Sequence, residues 1–257
     1  MRALSLVAAL ALSLSACTTV QAPPAPSIPA FLAAAVNDLG RPAADRELDD
    51  ARKPAELLAW AGVTPAMKIA DLIPGAGYFT RIFAKAVEPK GWVYAYFSNH
   101  NDEALRKQGR DPDNLMPDLK KTYKNLGVIH GPLSQFVTPQ PVDVVWTSLN
   151  YHDLHNKNFN VDVNEVNKAI FKSLKPGGLY VVVDHAAADS APDDVTQSLH
   201  RIKKSAVVKE VESAGFKLVA EGDALQYPGD DGTKRVFEND IRGKTNQFML
   251  KFQKPRR

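Results

Sequence analysis

Residues 70–80 read ADLIPGAGYFT, and the order of residue types in this stretch decides the fold. An apolar run ends in the carboxylate of Asp71, then Gly75 and Gly77 prepare an aromatic-rich helix start at Tyr78. A parallel sheet presents backbone N–H groups to a ligand in this way, at the carboxyl ends of its strands. Glycine occupies 15 of 257 positions, so the two glycines gain meaning only from the segments on either side.

Those segments alternate between strand and helix patterns. Residues 68–73 form the first strand, and residues 78–86 a helix turning Phe79, Ile82 and Phe83 inward. Gly91 closes that connection, and residues 92–97 are an almost continuously apolar second strand, suited to a parallel sheet covered on both faces. Residues 102–108 and 117–125 are charged and helical, with a short strand at 127–130. The sheet resumes at 142–149, and a helix follows at 164–174. The turn Lys175-Pro176-Gly177-Gly178 stops that helix before the most hydrophobic strand, 179–184. A helix over 198–214 and late strands at 216–220 and 246–252 complete the pattern. The expected fold is therefore α/β: a doubly wound, mostly parallel sheet. Upstream, residues 28–38 suit a short amphipathic helix, and Pro54 suits the first turn of another. Residues 30–65 thus read as an N-terminal helical cap or lid on an α/β domain spanning 66–257.

The chain begins MRALSLVAALALSLSAC. One early positive charge precedes an apolar run too short to span a bilayer comfortably, which is the pattern of a processing signal. It resembles a bacterial lipoprotein signal over residues 1–16, which implies that Cys17 is lipidated and contacts a membrane. Thr18, where an Asp favours inner-membrane retention, points to a periplasm-facing position on the outer membrane. Pro23, Pro24, Pro26 and Pro29 make residues 17–29 an extended tether. Cys17 is the sole cysteine, which excludes a disulfide framework and a thiol nucleophile within the fold. A net charge of +3 with scattered Lys and Arg gives no nucleic-acid footprint. No Gly-x-x-x-x-Gly-Lys-Ser/Thr phosphate loop, His-Glu-x-x-His helix or serine elbow occurs.

Three strands end in polar groups that this architecture gathers at one crevice. The first brings Asp71 and the turn at Gly75 and Gly77. The fourth brings Asn150, Tyr151, His152 and Asp153, and the fifth Asp184 and His185. Asp71 either fixes the glycine turn or receives a ligand's amino group. His152, beside carboxylates, can transfer a proton, hydrogen-bond a substrate or serve as a structural histidine. With His155, Asp153, Asp184 and His185 it also fits a metal-ligand set. Tyr78 and Phe79 divide between crevice and core, while Tyr94, Tyr96 and Trp146 pack the sheet. Asp49 and Arg52 either fold over the crevice or belong to a solvated charge run.

As a set, ADLIPGAGYFT, GWVYAYF, DVVWTSLNYHDLH, LKPGGLYVVVDH, ESAGFKLVAEGDAL and NQFMLKFQKP resemble the class I S-adenosylmethionine-dependent methyltransferases. With RELDDARKP upstream, they resemble in particular the exported predicted methyltransferases of bacteria. The resemblance implies a seven-stranded sheet whose last strand is antiparallel. It also implies S-adenosylmethionine as cofactor, S-adenosylhomocysteine as product and a small-molecule acceptor. By the same resemblance Asp71, Gly75 and Gly77 lie near the methionine moiety and Asn150 near the reacting methyl, with Tyr78 a further cofactor-binding candidate. The clustering of polar strand ends then gives His152, assisted by Tyr151, the catalytic role of orienting or deprotonating the acceptor, with Asp184 and His185 shaping the substrate side.

Two positions depart from the family pattern. Ile73 replaces the first glycine of the turn. Phe97 stands where the second strand usually ends in an acid for the ribose hydroxyls, a bond worth roughly 1.5–3 kcal/mol. Ser98 or Asn99 is then the replacement partner, with Phe97 against the adenine. Two other readings stay open: an envelope-anchored scaffold without catalysis, and a metal-dependent protein using His152, His155 and His185.

Overall fold

The computed structural model describes residues 27–107, 111, 117–157 and 159–256; the signal, Cys17 and most of the tether lie outside them. Among the described residues no helix is long and apolar enough to cross a membrane.

Four short helices precede the sheet: α1 (Ala30–Val36), α2 (Ala43–Arg46), α3 (Asp49–Arg52) and α4 (Pro54–Ala61). Lys53 takes a left-handed backbone between α3 and α4, and Pro54 then opens α4 where its missing N–H costs nothing. The core elements follow as β1 (Lys68–Leu72), α5 (Tyr78–Ala86), β2 (Trp92–Ser98), α6 (Asn99–Lys107), α7 (Pro117–Thr122), β3 (Leu126–Gly131) and β4 (Val142–Ser148). The remainder comprises α8 (Val163–Ser173), β5 (Leu174–His185), α9 (Val195–Leu199), α10 (Lys204–Ser213), β6 (Lys217–Gly222) and β7 (Gln247–Gln253).

The strands form one seven-stranded sheet in the order β3-β2-β1-β4-β5-β7-β6. All neighbours are parallel except β7, which runs antiparallel to β5 and β6. The doubly wound sheet read from the sequence is therefore present, including its antiparallel last strand. Strand order reverses between β1 and β4, which opens a crevice at their carboxyl ends.

Alternation along the strands feeds two cores. Ile69 of β1 faces the side covered by α1, α4 and α5, whereas Ala70 and Leu72 face α8 and α10. On the first side Phe79 and Phe83 of α5 pack on Trp146 of β4 with ring centroids 5.2 and 5.3 Å apart. Burying each such ring stabilises the fold by roughly 1.5–3 kcal/mol. Leu32, Leu57 and Leu58 join the same core, so the N-terminal helices share the sheet's interior.

Two local expectations fail. The helix expected over 198–214 is broken into α9 and α10. Between them His200 takes a left-handed φ of 56°, Arg201 is drawn inward to a bidentate pair with Asp230, and Ile202 bridges to Ala186 beside β5. The turn expected at Lys175–Gly178 is part of β5, because Leu174 pairs with Val142 and Gly177 donates its N–H to the Lys254 carbonyl.

Candidate functional site

The crevice between β1 and β4 is a cavity of about 290 Å³. Its floor is Asp71, Ile73, Pro74 and Gly75 from the β1 turn and Ser148, Leu149 and Asn150 from the β4 turn; Asp45, Leu48, Arg52, Tyr78 and Phe79 wall it. Gly75 and Gly77 have φ of 58° and 85°, conformations that L side chains rarely adopt. A Cβ placed on Gly75 meets nothing within 4 Å, so the space above the turn is open. Asn150 braces the two strand ends, its Nδ2 donating to the carbonyls of Ile73 at 3.0 Å and Ser148 at 2.7 Å.

Asp71 is 3 % exposed and accepts the Thr80 hydroxyl at 2.6 Å. Burial pushes its carboxyl up to about 7, partly offset by the Thr80 hydrogen bonds. Its bonds go to Thr80 of α5 rather than to the Gly75–Gly77 turn, and the residue also lines the cavity.

The charged cap is fastened over the crevice. Arg41, fully enclosed, grips Asp49 bidentately at 2.7 and 2.8 Å, and the Tyr78 hydroxyl donates to Asp49 at 2.6 Å. Arg81 holds Asp45 at 2.8 Å. These pairs use up the cations Arg41 and Arg81 and leave Arg52 over. Its guanidinium lies 4.4 Å above the Tyr78 ring and makes no hydrogen bond to a described residue. Burial lowers its pKa, incompletely offset by Tyr78, Asp45 and Asp49. A half-buried cation without a hydrogen-bond acceptor is a ready partner for an anion.

The other predicted site residues lie elsewhere. Phe97 points into the core beside α5 and stacks on His130 at 5.2 Å. Ser98 is 2 % exposed, and Asn99 begins α6 on the surface; none of the three walls the crevice. Tyr151 turns away from His152 into the layer of α8 and α10, where its hydroxyl donates to Glu210 at 2.9 Å and accepts from Asn167 at 2.8 Å. His155 meets the same Glu210 at 3.1 Å.

His152 is buried against Asp184. Its Nδ1 lies 2.8 Å from the Asp184 carboxylate, which also accepts the backbone N–H groups of His152 at 2.7 Å and His185 at 2.8 Å. Burial opposes ionisation of Asp184, but His152 and His185 outweigh it and hold the pKa below the usual carboxylate value. Burial likewise disfavours charge on His152, and Asp184 and Asp153 reverse the balance and raise it. His185 is pushed down to about 4, first by burial, and the Thr245 hydroxyl meets its Nδ1 at 2.8 Å. His152 and His185 rings are 6.1 Å apart. Two residues of the site escape sequence reasoning, Asp45 in the crevice and His200 beside His152. Asp45 carries no motif, and the helical pattern over 198–214 hides His200.

Several solved structures share this fold. An S-adenosylmethionine-dependent methyltransferase from Aquifex aeolicus aligns with a TM-score of 0.54 at 18% identity, over 83% of this chain and 94% of that one. The 1,6-didemethyltoxoflavin N1-methyltransferase of Burkholderia thailandensis, solved with bound 1,6-didemethyltoxoflavin and S-adenosylhomocysteine, aligns with a TM-score of 0.54 at 15% identity, over 83% and 79%. The [4+2]-cyclase SpnF aligns with a TM-score of 0.52 at 15% identity, over 83% and 81%. The chain thus has the Rossmann-like fold of class I methyltransferases. No family model matches the sequence, and no curated protein matches it.

Proposed function

We propose that this protein transfers a methyl group from S-adenosylmethionine to a small-molecule acceptor. The observation that carries the proposal is the guanidinium of Arg52, without a hydrogen bond to any described residue, in the wall of the crevice where strand order reverses. An amino-acid moiety needs a cation for its carboxylate and an acceptor for its ammonium. Arg52 supplies the first, and Asp45, bonded to Arg81 through one oxygen only, supplies the second. The glycine turn admits a ligand against backbone, since no Cβ projects into the space above Gly75. A cavity of about 290 Å³ suits the methionine half of such a cofactor.

When bound, S-adenosylmethionine supplies an electrophilic methyl on a sulfonium. The chain's own contribution is placement: Arg52 and the turn fix the amino-acid end, while Asn150 holds the β1 and β4 ends at one separation. Tyr78, Leu48 and Phe79 add apolar surface to the wall between the charges of Asp45 and Arg52. His152 is outside this wall, so it receives no proton-transfer role. Phe97 offers the ribose no acceptor, which supports a weak cofactor affinity.

Calorimetric titration of the full chain with S-adenosylmethionine and S-adenosylhomocysteine tests the proposal. Both bind with one site per chain, and Arg52→Ala weakens both roughly 10–100-fold, the value of a hydrogen bond to a charged group. Absence of heat at millimolar cofactor, from protein whose circular dichroism is intact, would leave a scaffold as the better reading.

A further inference from the structure

On the far side of Asn150, at the carboxyl ends of β4 and β5, two buried imidazole nitrogens lack partners. His152 Nε2 and His200 Nδ1 are both shut off from solvent and make no hydrogen bond to any described residue. The rings are 5.2 Å apart. Asp153 joins them: its Oδ1 is 3.5 Å from His152 Nε2, and one ligand atom from each of His152, Asp153 and His200 lies within 4.8 Å of the other two. Leaving the two buried nitrogens without partners is costly, at about 1–3 kcal/mol for each unsatisfied group.

We propose that His152 Nε2, His200 Nδ1 and the Asp153 carboxylate bind a divalent transition-metal ion. The spacing fits: ligands about 2.0–2.1 Å from a tetrahedral Zn²⁺ lie about 3.3 Å apart, close to the 3.5 Å between His152 and Asp153. Drawing His200 closer completes the third bond. The tautomer fits too. With the Nδ1–H of His152 donated to the Asp184 carboxylate, the Nε2 lone pair faces outward. Metal-bound histidines are oriented by a carboxylate in this way. Asp184 itself is not a ligand, because its oxygens already accept three N–H groups. Two imidazoles and a carboxylate select zinc, iron or manganese over calcium or magnesium. Three protein ligands leave a coordination position for water, on the side where Asp153 and His200 reach solvent.

This set differs from the one that sequence spacing offers. His155, turned to Glu210, and His185, turned to Thr245, do not join the group of ligand atoms that lie within 4.8 Å of one another. His200 enters from 48 residues beyond His152, on the left-handed residue that separates α9 from α10. That unusual backbone aims a ring at the cluster, a place where strain commonly marks function.

The inference stands apart from methyl transfer and is tested on metal alone. Full chain without an affinity tag is stripped with a chelator, dialysed and titrated with ZnCl₂ and MnCl₂, and the ion is also replaced by Co²⁺ for absorption spectroscopy. One Zn²⁺ per chain binds, and Co²⁺ gives the visible band of a four-coordinate site. His200→Ala and Asp153→Asn, both at partly exposed positions, each weaken Zn²⁺ binding at least about 100-fold, beyond the 10–100-fold typical of residues that only support a ligand. His155→Ala leaves binding unchanged. Failure of the wild-type chain to bind, or binding that survives His200→Ala but not His155→Ala, overturns the assignment.

Discussion

The ends of β1 and β4 bend alike and then do different chemistry. Each strand runs into a non-glycine residue with a left-handed backbone, Ile73 at φ 54° and Leu149 at φ 60°, and Asn150 ties the two bends together. Past Ile73 the chain offers backbone: the Gly75–Gly77 turn, with charge arriving from Arg52 and Asp45 of the cap. Past Leu149 it offers side chains, His152 and Asp153, completed by Asp184 and His200 from elsewhere in the chain. One half of the edge is built to receive a ligand on main-chain atoms, and the other to concentrate imidazole and carboxylate. The carboxylates follow the same division. Asp184 is held ionised by His152, whereas Asp71, with only Thr80 for company, is pushed up to about 7.

Replacing each aspartate by asparagine therefore gives opposite results. Asp184→Asn puts an amide where three N–H donors converge and leaves His152 without its counter-charge. Removing one partner of such a buried pair costs roughly 3–5 kcal/mol. Urea unfolding in the presence of chelator measures it, and a loss below about 1 kcal/mol would show that the His152–Asp184 contact contributes little.

Asp71→Asn acts mainly through pH. The unfolded aspartate titrates near about 3.9, and the folded one near about 7. Between those values the folded state holds more protons than the unfolded state, so wild-type stability falls as pH rises from about 4 to about 7. The asparagine variant loses that slope, because it can still accept the Thr80 hydroxyl without ionising. Relative to wild type it gains roughly 2–4 kcal/mol between pH 4 and pH 8, at about 1.4 kcal/mol for each tenfold difference in proton affinity between the folded and unfolded carboxyl. Parallel slopes for the two proteins across this range would contradict a protonated Asp71.

How much of this was legible in the sequence follows the same division. Glycine marks backbone geometry directly, so the β1 turn, the helix after it and the alternating pattern of strands could be read from 70–80 outward. The helix N-terminus at Tyr78 and the antiparallel last strand were found where expected. Side-chain constellations carry no such local mark. His155 stands three residues from His152 and yet bonds Glu210, because the 3-10 turn of 152–155 sends the two rings in different directions. His200 was hidden by a helical pattern that Arg201 breaks, its guanidinium anchored by Asp230 from another part of the chain. Arg52 was visible as a charge but not as a free one. Only the pairing of Arg41 with Asp49 and Arg81 with Asp45 shows which cation is left for a ligand.

The smallest expected effect concerns the two bends themselves. At an ordinary position glycine is less stable than alanine by roughly 0.5–1 kcal/mol, because it loses more backbone freedom on folding. A left-handed residue reverses the order, since a Cβ there crowds the neighbouring carbonyl at a cost of roughly 1–2 kcal/mol. Ile73→Gly should thus be more stable than Ile73→Ala, and Leu149→Gly more stable than Leu149→Ala, each by about 1 kcal/mol. All four variants lose apolar contacts. The loss is larger at Ile73, which is 6 % exposed, than at the half-buried Leu149. Comparing glycine with alanine at one site cancels that loss and isolates the backbone contribution. Thermal unfolding of the four proteins under one condition provides the comparison. Alanine above glycine at both sites would mean that neither strand ends in a left-handed bend. A reversal at Ile73 alone would confine the strain to the ligand-facing turn and separate the two ends further.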